Sequence, residues 1–130
     1  MTTPPSLPRH ARVVIVGGGV SGTSTAYHLA SMGWQDIVLL ELHQLTAGTT
    51  WHAAGLMVTY GSTSETSTEI RKYTRDLYGR LEAETGQHVG FRKVSNIRLA
   101  RTKDRWDEFM YYAGVAETIG VKVNVLTPQQ

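Results

Sequence analysis

The chain has 130 residues, 41% hydrophobic and 18% charged, so its length and composition indicate one globular domain. Its 13 basic and 11 acidic residues give a net charge of +2 without a basic block, so the sequence does not predict nucleic-acid binding. The chain has no cysteine, which excludes disulfides and a cysteine-based metal site, and no apolar run approaches the ~20 residues of a membrane span. We therefore predict neither a metal site nor a transmembrane helix.

Residues 1–11 carry three prolines and lack the apolar core of a secretory signal. Arg9 without an acidic neighbour resembles a mitochondrial transit peptide only weakly, because the segment is short and runs directly into the first strand. We expect a disordered lead on a cytoplasmic protein, with the mitochondrial matrix as the alternative.

Residues 12–41 read as a strand, a glycine turn, a helix and a second strand. Residues 12–16 form a continuous β-branched run, which predicts a parallel strand buried on both faces. The spacing G-x-G-x-x-G follows at residues 17–22, and a helix rich in small residues follows at 24–32. A second apolar run occupies residues 36–40, immediately before the acidic Glu41.

Each part of this stretch suits a dinucleotide. Gly17 permits the tight turn, Gly19 lets a pyrophosphate approach the backbone, and Gly22 lets the helix lie close to the sheet. The N–H groups that open the helix then face the phosphates, and Glu41 can accept hydrogen bonds from a ribose. Glycine turns alone are common. This one follows a strand, opens a helix and is followed about 20 residues later by a carboxylate, and that context predicts dinucleotide binding.

Residues 42–61 lose all periodicity and form a small, polar, glycine-punctuated loop with Trp51 and His52 near its middle. Long loops directly after a nucleotide-binding strand often carry function. A helix is predicted next, with Thr66 and Glu69 at the spacing of a capping box and Gly86 as its stop.

Apolar and polar residues then alternate at the end of residues 89–100, which predicts a half-exposed strand, and an amphipathic helix is predicted at 102–119. Residues 121–125 alternate strictly and predict another half-exposed strand. Thr127 and Pro128 are typical of a helix start, but the sequence ends two residues later. We expect residues 12–130 to be the N-terminal portion of a single domain, truncated at its C-terminal end.

Residues 45–56 resemble the sarcosine and dimethylglycine dehydrogenases, members of the D-amino-acid-oxidase-like flavoprotein superfamily. Residues 14–41 resemble the FAD-binding start of that family, and residues 81–86 and 96–100 resemble its following segments. Many flavoproteins share the glycine spacing, whereas residues 49–55 are far more specific. The resemblance implies an α/β fold: a Rossmann-like FAD-binding βαβ start with part of an inserted α+β substrate-domain layer, incomplete in this sequence.

The resemblance also implies residue roles. His52 would bond covalently to the 8α-methyl carbon of the flavin, Glu41 and Leu42 would meet the adenosine ribose, and Val20 and Ser21 would meet the phosphates. The loop that wraps the cofactor would consist of Gly48, Thr49, Thr50, Trp51, His52, Ala53, Ala54, Gly55 and Leu56. The other four histidines are predicted to have ordinary structural or surface roles.

The implied reaction is oxidation of a small N-methylated amine, such as sarcosine or dimethylglycine, by hydride transfer to FAD. Substrate-contacting residues lie far downstream in this family, so the catalytic residues are unknown and these 130 residues alone should be inactive. Two alternatives stay open: a non-catalytic relative similar to the regulatory subunit of pyruvate dehydrogenase phosphatase, and a nicotinamide-binding Rossmann domain. The family's regulatory member lacks the attachment histidine, so His52 favours the enzyme.

Overall fold

The structure is a computed structural model that describes residues 7–130 and contains two compact units, one ending at Gly55 and one beginning at Leu56. Most of the predicted disordered lead, residues 1–6, lies outside the described residues. Residues 7–11 have neither helix nor strand. Across the described part of the chain, no helix is both long enough and apolar enough to cross a membrane.

The first unit contains strand β1 (Val13–Val16), helix α1 (Val20–Ser31) and strand β2 (Ile37–Leu40). The two strands pair in parallel, with Val13 opposite Ile37 and Val16 opposite Leu40. Parallel neighbours need a crossover connection, and α1 supplies it. The predicted strand–helix–strand order is confirmed.

Strand β1 is covered on one face only. Val13 and Ile15 are half-buried, whereas Val14 is 54% and Val16 is 84% exposed. The prediction that β1 is buried on both faces is therefore wrong. A parallel strand becomes buried on both faces when helices cover both sides of its sheet, and the described part of this unit supplies one helix.

Helix α1 begins at Val20, four residues before the predicted start at Ser24. It therefore begins directly after Gly19, and no side chain of that N-cap residue bonds the first turn. Gly33 follows the helix with φ +81°, a left-handed backbone that favours glycine, as the predicted stop requires.

The second unit begins its regular structure with helix α2 (Glu65–Thr85). The predicted capping box at Thr66 and Glu69 is wrong, because Ser64 is the N-cap and its hydroxyl accepts a hydrogen bond from the Ser67 N–H at 3.3 Å. Gly86 ends the helix in a left-handed conformation with φ +70°, and its N–H donates to the Glu82 carbonyl. The predicted stop is confirmed.

Helix α3 (Lys103–Thr118) lies within one residue of the predicted bounds, with Thr102 as its N-cap. The hydroxyl of Thr102 accepts from the Arg105 N–H, which satisfies one of the donors left free at a helix start. The buried apolar side chains of this unit are Leu77 of α2 and Ala116 of α3.

Neither strand predicted in the second unit forms, since residues 89–100 and 121–125 have no regular structure. Alternation of apolar and polar residues makes a strand only when a neighbouring strand accepts and donates its backbone hydrogen bonds. Among the described residues, the sheet consists of β1 and β2 of the first unit, and residues 89–100 and 121–125 have no strand to pair with. Ile97 and Leu99 are accordingly 77% and 80% exposed.

Candidate functional site

The glycine turn between β1 and α1 needs glycine for lack of space at Gly22 and Gly19 and for its backbone conformation at Gly17. A Cβ atom at Gly22 would lie 1.9 Å from the Gly17 carbonyl oxygen, so only glycine lets the start of α1 lie against the end of β1. Gly17 itself has φ +102°. A Cβ at Gly19 would come within 3.0 Å of the Thr50 hydroxyl. The turn therefore carries no side chain at these three positions, as the dinucleotide spacing requires.

Gly18 occupies a variable position of the spacing G-x-G-x-x-G, so the spacing predicts no role for it. A Cβ atom there would lie 2.6 Å from Leu45 Cδ2 and 3.1 Å from Glu41 Oε2. Gly18 is buried, and its absence of a side chain is what admits the Glu41 carboxylate. The run of three glycines was the available signal, but only the contact with Glu41 explains it.

Glu41 follows β2 and bonds back to the glycine turn. Its Oε2 accepts from the Gly18 N–H at 2.6 Å, and its Oε1 accepts from the His43 N–H at 3.0 Å. These backbone hydrogen bonds hold the pKa of the Glu41 carboxyl below its ordinary value of 4.5. The bond from His43 lowers it most, and the bond from Gly18 has the next largest effect. A negative charge is therefore fixed beside the turn at neutral pH.

The loop after Glu41 continues across the glycine turn. The Thr46 N–H donates to the Gly18 carbonyl at 3.0 Å, and the Thr50 hydroxyl accepts from the Val20 N–H at 2.9 Å. Thr46 takes a left-handed backbone with φ +68°, which is unfavourable for a β-branched residue and marks a tightly specified bend. Residues 41–50 thus lie on the turn through several separate hydrogen bonds.

His52 lies in a short 3-10 turn, η1 (Thr49–His52), that the sequence did not predict. Its Nδ1 is 3.1 Å from the Gly48 carbonyl oxygen, and its ring lies 4.0 Å from the Trp51 ring, centroid to centroid, at a tilt of 36°. A carbonyl only accepts, so the neutral imidazole that makes this bond carries its proton on Nδ1 and keeps the free lone pair on Nε2. His52 is exposed.

The structure brings some of the predicted cofactor residues of the first unit into one neighbourhood. The glycine turn, the first turn of α1, Glu41 and Thr50 are connected by the hydrogen bonds described above. Leu42 leaves this neighbourhood, with 87% of its side chain exposed. Ala53 has an extended backbone after η1, and Leu56 belongs to the second unit. The cofactor roles of all these residues stay predictions.

Comparison with known proteins decides the family. The family model of FAD dependent oxidoreductases matches residues 12–130. The chain belongs to the FAD dependent oxidoreductase family. The bare glycine turn and the carboxylate at the end of β2 fit the adenine dinucleotide part of FAD.

The chain is similar to three relatives over most of its length. It is 52% identical over 109 residues to the mitochondrial dimethylglycine dehydrogenase of Rattus norvegicus, covering 84% of this chain and 13% of that protein. It is 46% identical over 121 residues to the 4-methylaminobutanoate oxidase (formaldehyde-forming) of Paenarthrobacter nicotinovorans, covering 93% and 15%. It is 41% identical over 125 residues to the mitochondrial pyruvate dehydrogenase phosphatase regulatory subunit of Mus musculus, covering 96% and 14%.

The resemblance to sarcosine and dimethylglycine dehydrogenases inferred from residues 45–56 is therefore confirmed. The chain spans only 13–15% of the length of these three relatives.

Proposed function

We propose that the chain is the FAD-binding N-terminal portion of a flavoprotein that oxidises small N-methylated, glycine-type amines by hydride transfer to the flavin. The similarity to dimethylglycine dehydrogenase supports the substrate class, and the observation that supports flavin binding is the hydrogen bond between Thr50 and Val20. It joins the segment that bears His52 to the turn suited to the dinucleotide. A turn that only connected β1 to α1 would not need a distant loop held against it.

Different residues of the first unit would bind different parts of FAD. Glu41 is ionised at neutral pH, and each carboxylate oxygen has a second lone pair with which to accept from a ribose hydroxyl. Gly19 lets the pyrophosphate approach the backbone. Ser21 lies in the first turn of α1, where N–H groups and the positive end of the helix dipole favour a phosphate. Bound FAD supplies the hydride acceptor, and the protein supplies orientation and electrostatics.

His52 is proposed to attach the flavin covalently. Its Nε2 carries the free lone pair and would be the atom that bonds to the 8α-methyl carbon. Bound FAD would supply that electrophilic carbon. With dioxygen as the oxidant, it would also take up the two electrons released when a C–N bond replaces one C–H bond, and the methyl proton and the Nδ1 proton would leave with them. The Gly48 carbonyl supports this role because it selects the tautomer in which Nε2 is the nucleophile.

Acid precipitation of the protein after expression with FAD tests the proposal. Yellow colour and flavin fluorescence should stay with the pellet and should be lost from it in His52→Ala. His10→Ala, which removes an exposed histidine of the same unit, is the matched control and should keep the flavin. Flavin in the supernatant alone would remove the covalent bond from the proposal, and absence of any bound flavin would overturn the proposal as a whole.

A regulatory protein without catalysis is the second candidate. It is favoured by the extent of the similarity to the pyruvate dehydrogenase phosphatase regulatory subunit. The presence of His52 in a turn that frees its Nε2 favours the enzyme instead. The two candidates separate on the same measurement, because the regulatory role predicts no flavin in the pellet.

A further inference from the structure

We propose that Thr50 is a positioning residue: by accepting a hydrogen bond from the Val20 N–H, its hydroxyl holds η1 against the glycine turn and so places His52 for flavin attachment. This inference rests on the proposed function. Thr50 does not touch the reacting atoms. It acts through the position of the imidazole two residues later.

The Thr50 hydroxyl satisfies a backbone donor at the start of α1 from a distant part of the chain. Val20 is the first residue of α1, and the N–H groups of a first helical turn have no partner within the helix. The N-cap residue is Gly19, which has no side chain to offer. Thr50 Oγ1 lies 2.9 Å from the Val20 nitrogen, although 30 residues separate them. A loop residue therefore satisfies the N–H of the first helical residue, which an N-cap side chain does not serve because it bonds the second or third N–H.

The glycine at position 19 makes room for this contact. A Cβ atom there would lie 3.0 Å from Thr50 Oγ1, closer than ordinary van der Waals contact allows. The missing Cβ atom therefore admits the Thr50 hydroxyl to the turn. The fit indicates that the position of Thr50 is specified by the turn and not by the loop alone.

Thr50 is also part of η1, the turn that contains His52. Its carbonyl accepts from the Ala53 N–H at 3.2 Å, and the Gly48 carbonyl bonds the His52 ring, so η1 is held together by its own hydrogen bonds. The contacts of Glu41 and Thr46 with Gly18 fix only the earlier part of the loop. The side chain of Thr50 is what connects η1 itself to α1 in the described part of the first unit.

The test compares Thr50→Val, which keeps the shape and removes the acceptor, with Thr50→Ser, which keeps the acceptor. Thr25→Val makes the same change on the exposed surface of α1 and is the matched control. Two quantities are measured: the exchange rate of the Val20 amide hydrogen without FAD, and the rate at which flavin becomes acid-stable at saturating FAD. Total bound FAD is measured alongside.

Thr50→Val should exchange the Val20 amide roughly fivefold faster, the loss expected for one hydrogen bond, while the β1 amides keep their wild-type rates. Flavin attachment, expressed per FAD bound, should slow by at least the same factor, and Thr50→Ser should restore both rates. A wild-type attachment rate in Thr50→Val, or an unchanged Val20 exchange rate, would overturn the inference alone. Absence of acid-stable flavin in the wild type would overturn both this inference and the proposed covalent attachment. If FAD were still bound without being attached, the assignment as a flavoprotein would stand.

Discussion

Adding one methyl group at Gly22 tests how closely α1 must lie on β1. In Gly22→Ala the new Cβ would stand 1.9 Å from the Gly17 carbonyl oxygen and 3.3 Å from Ile15 Cγ2. Cβ atoms do not approach other heavy atoms within 3.0 Å, so the helix must move by at least 3.0 − 1.9 = 1.1 Å. The obstacle is backbone, which cannot turn aside as a flexible side chain would.

The size of the effect follows from two opposing terms. Overpacking of this kind costs about 3 kcal/mol, the upper part of the usual range, because one backbone must move past another. Alanine in place of glycine in a helix recovers about 1 kcal/mol. We therefore expect the free energy of opening of the βαβ unit to fall by about 2 kcal/mol, which is roughly a 30-fold change in the opening equilibrium.

Amide hydrogen exchange followed by segment is the suitable assay, because it reports the two units of the chain separately. Amides of β1 and α1 should lose protection in Gly22→Ala. Gly114→Ala is the matched control, since a Cβ there meets nothing within 4 Å and α3 should gain about 1 kcal/mol. Protection of α1 in Gly22→Ala equal to or above that of the wild type would refute the close contact.

Three further changes have defined outcomes. Acidification below pH 4.5 should weaken the first unit, because folding lowers the pKa of the Glu41 carboxyl below that ordinary value. The stabilisation by Glu41 is complete above pH 4.5 and is lost as the pH falls through the folded pKa. Circular dichroism against pH should show a smaller loss of structure in Glu41→Gln than in the wild type. Ser64→Ala should destabilise α2 by about 1 kcal/mol in urea unfolding, whereas Thr66→Ala, inside the helix, should not destabilise it. Gly86→Ala should cost about 1 kcal/mol in the same assay, because alanine is strained at φ +70°; equal midpoints for wild type and variant would contradict this.

The sequence predicted what local patterns determine. The β-branched run, the glycine spacing and the second apolar run place β1, α1 and β2 within a few residues of their observed bounds. Gly86 was recognised as a helix stop because a left-handed C-cap needs glycine almost regardless of its surroundings.

Choices between equivalent local patterns could not be predicted. Ser64 and Thr66 are both good N-cap residues, and the capping-box spacing favours Thr66. The structure uses Ser64, whose hydroxyl accepts from Ser67 and whose carbonyl accepts the Thr68 hydroxyl at 3.0 Å. Residues 89–100 alternate as a strand does, but pairing depends on a neighbour that no local pattern encodes.

The candidate site shows the same division. The glycine turn and Glu41 follow from a motif whose spacing has a physical reason. The contacts that join the loop to the turn connect residues 23 and 30 positions apart, so they depend on the folding of the loop as a whole. The role of Gly18 and the turn around His52 therefore emerge only in three dimensions.

The uncovered face of β1 has a thermodynamic consequence. Unfolding raises the heat capacity chiefly by hydrating apolar side chains, at about 12–15 cal/mol/K per residue for ordinary globular domains. Val14 and Val16 are already largely hydrated in the folded unit, so they contribute little to this increment. Calorimetry of the chain should give a smaller increment per residue, and a flatter stability curve with temperature, than a fully packed α/β domain shows.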